Sequence, residues 1–141
     1  MELVLKDAWF LAKLTNCLHG ACAYIRQKTK ENTYEVTFVA ATSKSRIAPL
    51  KQLTIPRLEL QAAVLAYRLA KSILDESKIQ FKSVKFLTDS TITMAWIQSA
   101  SLSFKPFVSL RVGEIQRKSY PSQWKHIPSE ENVANDLSRG L

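Results

Sequence analysis

Apolar residues recur at spacings of three and four from Leu58 through Ala62, Leu65, Leu69 and Ile73, with alanine-rich filling between them. This pattern predicts a long amphipathic helix, opened by Pro56 and closing at Asp75-Glu-Ser77. Ahead of it, residues Ala21 to Arg26 and Tyr34 to Ala41 are rich in β-branched and aromatic types, and the polar stretch Gln27 to Asn32 separates them. They predict an antiparallel hairpin. Behind the helix, Ser83-Val-Lys-Phe-Leu-Thr88 has the length and apolar content of a buried strand, and Asp89-Ser90-Thr91 supplies capping side chains for a helix through Met94, Trp96 and Ile97. Phe107, Leu110, Arg111, Glu114, Ile115 and Lys118 mark a further amphipathic helix, Tyr120 to Pro128 a short strand, and Ser129 to Arg139 a last helix. The order predicts an α/β fold, a mixed sheet with helices on its faces, because the long helix joins strands that most naturally run parallel.

With 141 residues, 46% of them hydrophobic, the chain suits one core rather than two. Its 3 Gly and 5 Pro are scattered, and neither a repeat nor a linker appears. Residues 18–141 are expected to form the domain, with 1–17 a divergent N-terminal segment holding a possible first strand. The charges, 20 basic against 12 acidic residues, leave a net +8, which makes a polyanion a better partner than a cation. No apolar run approaches the roughly 20 residues needed to span a bilayer, and the start lacks the basic leader of a signal peptide, so an intracellular protein without membrane contact is expected. Cys17 and Cys22 flank His19, but no second pair completes a zinc site, and reduced thiols are expected.

In a sheet of this kind ligands bind outside the carboxyl ends of the strands, where Asp89 falls. Asp89 is therefore either a site residue or a plain N-cap of the following helix. Glu59 sits among Leu58, Leu60, Ala62 and Ala63, where a buried carboxylate calls for a metal ion or a basic partner. No histidine or cysteine stands in an arrangement that supports nucleophilic catalysis. His126 is expected to be a structural strand residue contacting backbone, and Trp96 and Trp124 to belong to the core.

An ordered set of motifs carries more: Lys44-Ser-Arg-Ile-Ala-Pro49, Ile55-Pro-Arg-Leu-Glu-Leu60, Leu87-Thr-Asp-Ser90, Trp96-Ile97, Trp124-Lys-His-Ile-Pro128, and Asn132 to Gly140. Over residues 20–141 this series resembles the ribonuclease H domain of BEL/Pao-type LTR retrotransposon polyproteins. The resemblance implies a ribonuclease H-like mixed sheet of about five strands with helices on both faces. It also implies hydrolysis of the RNA strand of an RNA/DNA hybrid by two divalent ions, Mg²⁺ or Mn²⁺, held by carboxylates, since hard cations prefer oxygen ligands and paired ions serve both the attacking and the leaving oxygen. Its partners would be the hybrid and the reverse transcriptase domain of the same polyprotein, in a cytoplasmic retrotransposon particle or in the nucleus.

Carried over by position, the helix carboxylate of the family matches Glu59 and the strand-end carboxylate matches Asp89, both as catalytic residues and metal ligands. Two positions depart. Seven residues before Gly20, where the family has the aspartate of its first strand, this chain has Lys13, and the nearest upstream acid is Asp7. Four residues before Arg139 the family's aspartate is replaced by Asn135, leaving Asp136 as the candidate third catalytic carboxylate. A lysine ammonium repels the ions whose ligand it replaces. Lys44, Arg46 and Arg57 are expected phosphate neighbours, with Ser90 and Arg139 near the site motifs, because an enzyme acting on arbitrary sequence contacts backbone rather than base edges. The readings that follow are a retrotransposon-derived ribonuclease H with impaired activity, a non-catalytic nucleic-acid-binding or structural module of the same fold, and a decayed element fragment.

Overall fold

Five consecutive residues, Ala8, Trp9, Phe10, Leu11 and Ala12, are each no more than 3% exposed, and they lie in the strand Lys6–Leu14, β1. The computed structural model describes residues 6–14, 18–45, 54–128 and 137–139. After β1 come strands β2 (Leu18–Lys28) and β3 (Tyr34–Ser45), helix α1 (Ile55–Glu76), strand β4 (Ser83–Thr88), helices α2 (Thr91–Ile97) and α3 (Pro106–Lys118), and the short strand β5 (Trp124–His126). The sheet order is β3-β2-β1-β4-β5, with β1 antiparallel to β2 and parallel to β4. This is the mixed five-stranded α/β sheet that the sequence implies.

Several details differ from the sequence reading. β1 precedes the predicted hairpin and runs through the middle of the sheet; buried on both faces, it shows no alternation of apolar and polar positions, and its charges Lys6, Asp7 and Lys13 stand only near its ends. The hairpin strands extend to Leu18–Lys28 and Tyr34–Ser45, beyond the apolar segments that announced them. β5 shrinks to Trp124–His126 because Pro121–Gln123 winds into a single 3-10 turn. Leu110, assigned to the apolar face of α3, is 71% exposed, and Val108, Val112 and Ile115 form the buried face instead. Of the predicted last helix, residues 129–136 lie outside the described residues.

β1 divides the core by its pleat. Ala8, Phe10 and Ala12 join α1, Ile97 of α2 and the buried face of α3, while Trp9 and Leu11 pack on the other side with Leu87, Ile127 and Leu137. On the first face the rings of Phe10, Phe86 and Trp124 form one row across β1, β4 and β5, with centroids 5.5 and 4.6 Å apart. On the second, the buried guanidinium of Arg26 donates to Asp7 and to the carbonyl of Leu137, each at 3.2 Å, and lies over the rings of Trp9 and Tyr34. Arg26 thereby ties β2 to the start of β1 and to the C-terminal residues. Among the described residues no helix is long and apolar enough to cross a membrane.

At Gly20 the backbone of β3 comes so close that a Cβ would strike the carbonyl oxygen of Thr42. Gly20→Ala therefore forces the two strands apart and is expected to cost about 2 kcal/mol, read as a lowered midpoint in thermal melting; an unchanged midpoint would mean that the strands separate there freely. Arg26→Met takes the guanidinium from Asp7, which keeps only the Ser83 hydroxyl, and from the Leu137 carbonyl, and a loss of about 3 kcal/mol is expected in urea unfolding.

Candidate functional site

β4 ends at Thr88, so Asp89 emerges at the carboxyl edge of the parallel pair β1/β4. The turn is held from several sides. The Ser90 hydroxyl accepts from the Thr93 N–H at 3.0 Å and so caps α2, the Ser90 N–H donates to the Thr88 hydroxyl at 3.1 Å, and the Ile127 N–H donates to the Thr88 carbonyl at 2.9 Å. The His126 Nε2 meets the Asp89 carbonyl at 3.0 Å, which is the backbone contact expected of it. The N-cap of α2 is thus Ser90, and the alternative reading of Asp89 as the cap is removed: its side chain is exposed and leaves the capping position to its neighbour.

Glu59 reaches this turn from the first turns of α1, where Pro56 starts the helix and Leu58 and Leu60 fix its rotation by entering the core. The Ser90 hydroxyl, which caps α2, also lies close enough to Glu59 to act on its carboxyl. Burial pushes the Glu59 carboxyl above its ordinary value, the Ser90 hydroxyl pulls it down, and the charge of Asp89 raises it again. The structure therefore brings Glu59, Asp89 and Ser90 together.

The register of β1 against β4 locates both residues considered for the first carboxylate, Lys13 and Asp7. Leu11 pairs with Leu87, and continuing two residues along both strands brings Lys13 level with Asp89. Asp7 is at the other end, paired with Ser83, whose hydroxyl it accepts at 3.0 Å. Six residues of strand, about 20 Å, separate it from the level of Asp89, so a shift of register that would deliver Asp7 to the site does not occur.

The other expected residues spread more widely. Arg57 is exposed on α1, two residues before Glu59, with its guanidinium 4.9 Å from the Phe107 ring centroid. Lys44 sits on β3 opposite His19, its side chain outside the described residues, and Arg139 is exposed. Arg46, Asn135 and Asp136 lie outside the described residues, and Asp136 directly precedes the buried Leu137 in sequence. Among the described residues no group of three or more His, Cys, Asp or Glu surrounds a common point. Glu59 and Asp89 offer oxygen donors of the kind that a hard divalent cation takes.

The raised Glu59 carboxyl predicts a sign for pH dependence. The folded state holds this proton to higher pH than the unfolded chain does, so stability falls as pH rises from the ordinary glutamate range to the raised folded value. Glu59→Gln removes that loss. In buffers containing EDTA, the melting midpoint of Glu59→Gln is expected to exceed the parent's at neutral pH and to converge on it near pH ~4; a difference independent of pH would contradict the assignment.

Comparison with known proteins bears on this geometry. The family described as Pao retrotransposon-like RNaseH-like domain matches residues 15–90, just over half of the chain, including the segments that carry Glu59 and Asp89. Among solved structures, LC11-RNase H1 in complex with RNA/DNA hybrid aligns at a TM-score of 0.51 and 14% identity, covering 94% of this chain and 92% of that one. A second structure of LC11-RNase H1, isolated from compost by a metagenomic approach, aligns at 0.50 and 14% identity, covering 94% and 91%. At such identity the likeness is one of fold. No curated protein matches the sequence. The motif series, the sheet order and the matched residues agree, and the chain belongs to the Pao retrotransposon-like RNaseH-like domain family.

Proposed function

We propose that this domain binds RNA/DNA hybrids through their backbones and that its hydrolytic site, with Glu59, Asp89 and Asp136 as its carboxylates, is impaired by Lys13 and Asn135. The observation that supports the reading is the meeting of Glu59 and Asp89 at the end of β4, at the level that Lys13 reaches on β1. The RNA/DNA hybrid in the LC11-RNase H1 structure supports the choice of ligand. Glu59 and Asp89 are the residues that would hold Mg²⁺ or Mn²⁺, and such an ion supplies Lewis-acid stabilisation of phosphoryl oxygens when bound.

The chain's own groups have separable tasks. Ser90 orients Glu59 while holding α2, and His126 fixes the backbone of Asp89 from β5. Lys13 sets a positive charge where the family keeps a negative one, which opposes cation binding and weakens charge stabilisation on the phosphate. Arg57, Arg139, Lys44 and Arg46 contribute phosphate contacts, in keeping with the net +8. In its polyprotein setting the domain would work beside the reverse transcriptase domain, inside the cell, in the retrotransposon particle or the nucleus. A wholly non-catalytic binding module is the second reading, and Lys13 is the residue that favours it.

Cleavage of a labelled RNA/DNA hybrid in Mg²⁺ and in Mn²⁺, with Asp89→Asn as the contamination control, separates the two. The parent is expected to bind hybrid with affinity that falls linearly in log–log form with salt and to cleave little. Lys13→Asp is expected to raise Mn²⁺-dependent cleavage at least about tenfold, equivalent to ~1.4 kcal/mol of barrier, and Lys13→Asp combined with Asp89→Asn to abolish the gain. No gain in Lys13→Asp supports the non-catalytic module; metal-independent cleavage, or no hybrid binding at low salt, sinks the proposal.

A further inference from the structure

A second concentration of charge lies on the same helix as Glu59 but faces another way. Gln61, Val64 and Arg68 follow Arg57 at spacings of four, three and four, forming one stripe along α1 that looks toward Phe107, Leu110, Arg111 and Glu114 of α3. Between the helices is an open cleft of about 280 Å³, lined by Gln61, Arg68, Arg111 and Glu114 over apolar walls, with buried His19 of β2 among its lining residues. Glu59 and Asp89 do not line it.

The charges in the cleft do not balance. Arg68 grips Glu114 with two hydrogen bonds of 2.7 and 2.8 Å, which uses the one carboxylate lining the cleft among the described residues. Arg111 lies against the face of Phe107 at 3.6 Å and donates to its carbonyl, and Arg57 approaches the same ring at 4.9 Å. Neither Arg57 nor Arg111 forms an ion pair with a described carboxylate. Burial lowers the Arg111 guanidinium from its ordinary value, and the like charges of Arg68 and Arg57 lower it further against the pull of Glu114. Glu114, in turn, is held below the carboxylate range by Arg68 first, then by Arg117 and Lys71. Arg111 thus brings a charge to the cleft with no ion pair of its own, while Arg57 stands outside the lining, on the Phe107 ring.

We infer that the cleft between α1 and α3 is a phosphate-binding site in which Arg111 is the recognising group of the lining, the Arg68–Glu114 pair is a fixed wall, and Arg57, beside the cleft on the Phe107 ring, adds its charge at the mouth. The chemistry follows from the parts. A guanidinium fork matches two phosphate oxygens, stacking on Phe107 fixes the plane of the Arg111 fork before any ligand arrives, and Gln61 offers an amide donor at the same opening. The phosphate can be carried by a nucleic-acid strand or by a small phosphate compound. The first source rests on the proposed hybrid binding: Arg57 stands two residues from Glu59, so a strand engaged at the end of β4 has the mouth of the cleft within reach along α1.

The site is tested with sodium pyrophosphate by isothermal titration calorimetry, in EDTA so that Glu59 and Asp89 play no part. The parent is expected to bind saturably, Arg111→Gln to weaken binding at least about tenfold, and Arg111→Lys to recover only part of it because the stacked fork is lost. Lys28→Gln, which removes the same charge at the far end of β2, is expected to bind as the parent does. Arg57→Gln, at an exposed position, is the second variant and is likewise expected to weaken binding should Arg111→Gln fail to fold. No binding by the parent, or equal binding by a folded Arg111→Gln or Arg57→Gln, overturns the site. Hybrid binding then assigns the source: weaker binding with a salt slope reduced by about one for each arginine removed means a strand-borne phosphate, and unchanged hybrid binding means a small phosphate compound. Because neither measurement uses cleavage or metal, the site stands or falls separately from the catalytic reading.

Discussion

A strand with no solvent-facing side imposes its terms on everything beside it. Between Ala8 and Ala12 β1 has no room for charge on either face, so Lys6 and Asp7 occupy one end and Lys13 lies beyond the other. Its parallel pairing with β4 aligns the two carboxyl ends, and every residue with a claim on the site is positioned relative to that edge: Asp89 one residue past β4, Lys13 level with it, His126 on the next strand. α1 is oriented by the same burial, because Leu60, Ala63 and Ala66 are fully enclosed and Glu59 must take the rotation that they leave.

The edge is organised through neutral hydrogen bonds more than through charge. Thr88, Ser90 and His126 use hydroxyl, amide and imidazole groups to hold the turn, and the charge at its centre belongs to the two acids. The opposite end of β1 differs in kind. There Arg26 and Asp7 form an ion pair that also binds the Leu137 carbonyl, so charge serves architecture at one end of the strand and leaves the other available for chemistry.

Much of this was legible in the sequence, and the parts that were not share a physical cause. α1 and β4 declared themselves through periodicity and length, and Glu59 and Asp89 through a carboxylate beside a core face and another after a strand. β1 gave no such signal, since burial on both faces erases the alternation by which strands are recognised. Arg26 ends a predicted strand segment, and only the approach of Asp7, Trp9, Tyr34 and Leu137 makes it a core residue. The Arg68–Glu114 pair spans 46 positions, so nothing local announces it. Leu110 misled because it occurs at helical spacing from Phe107 and Glu114 while lying on the outer wall of a cleft.

The position of Lys13 has a consequence for how such a domain ages. Lys13 follows directly on the enclosed run Ala8–Ala12, whose side chains hold both faces of the sheet. Chemistry and architecture in this fold are therefore insured separately. On the proposed reading, a lineage that no longer cuts RNA can change the tip of this strand and still inherit the enclosed run that carries the sheet.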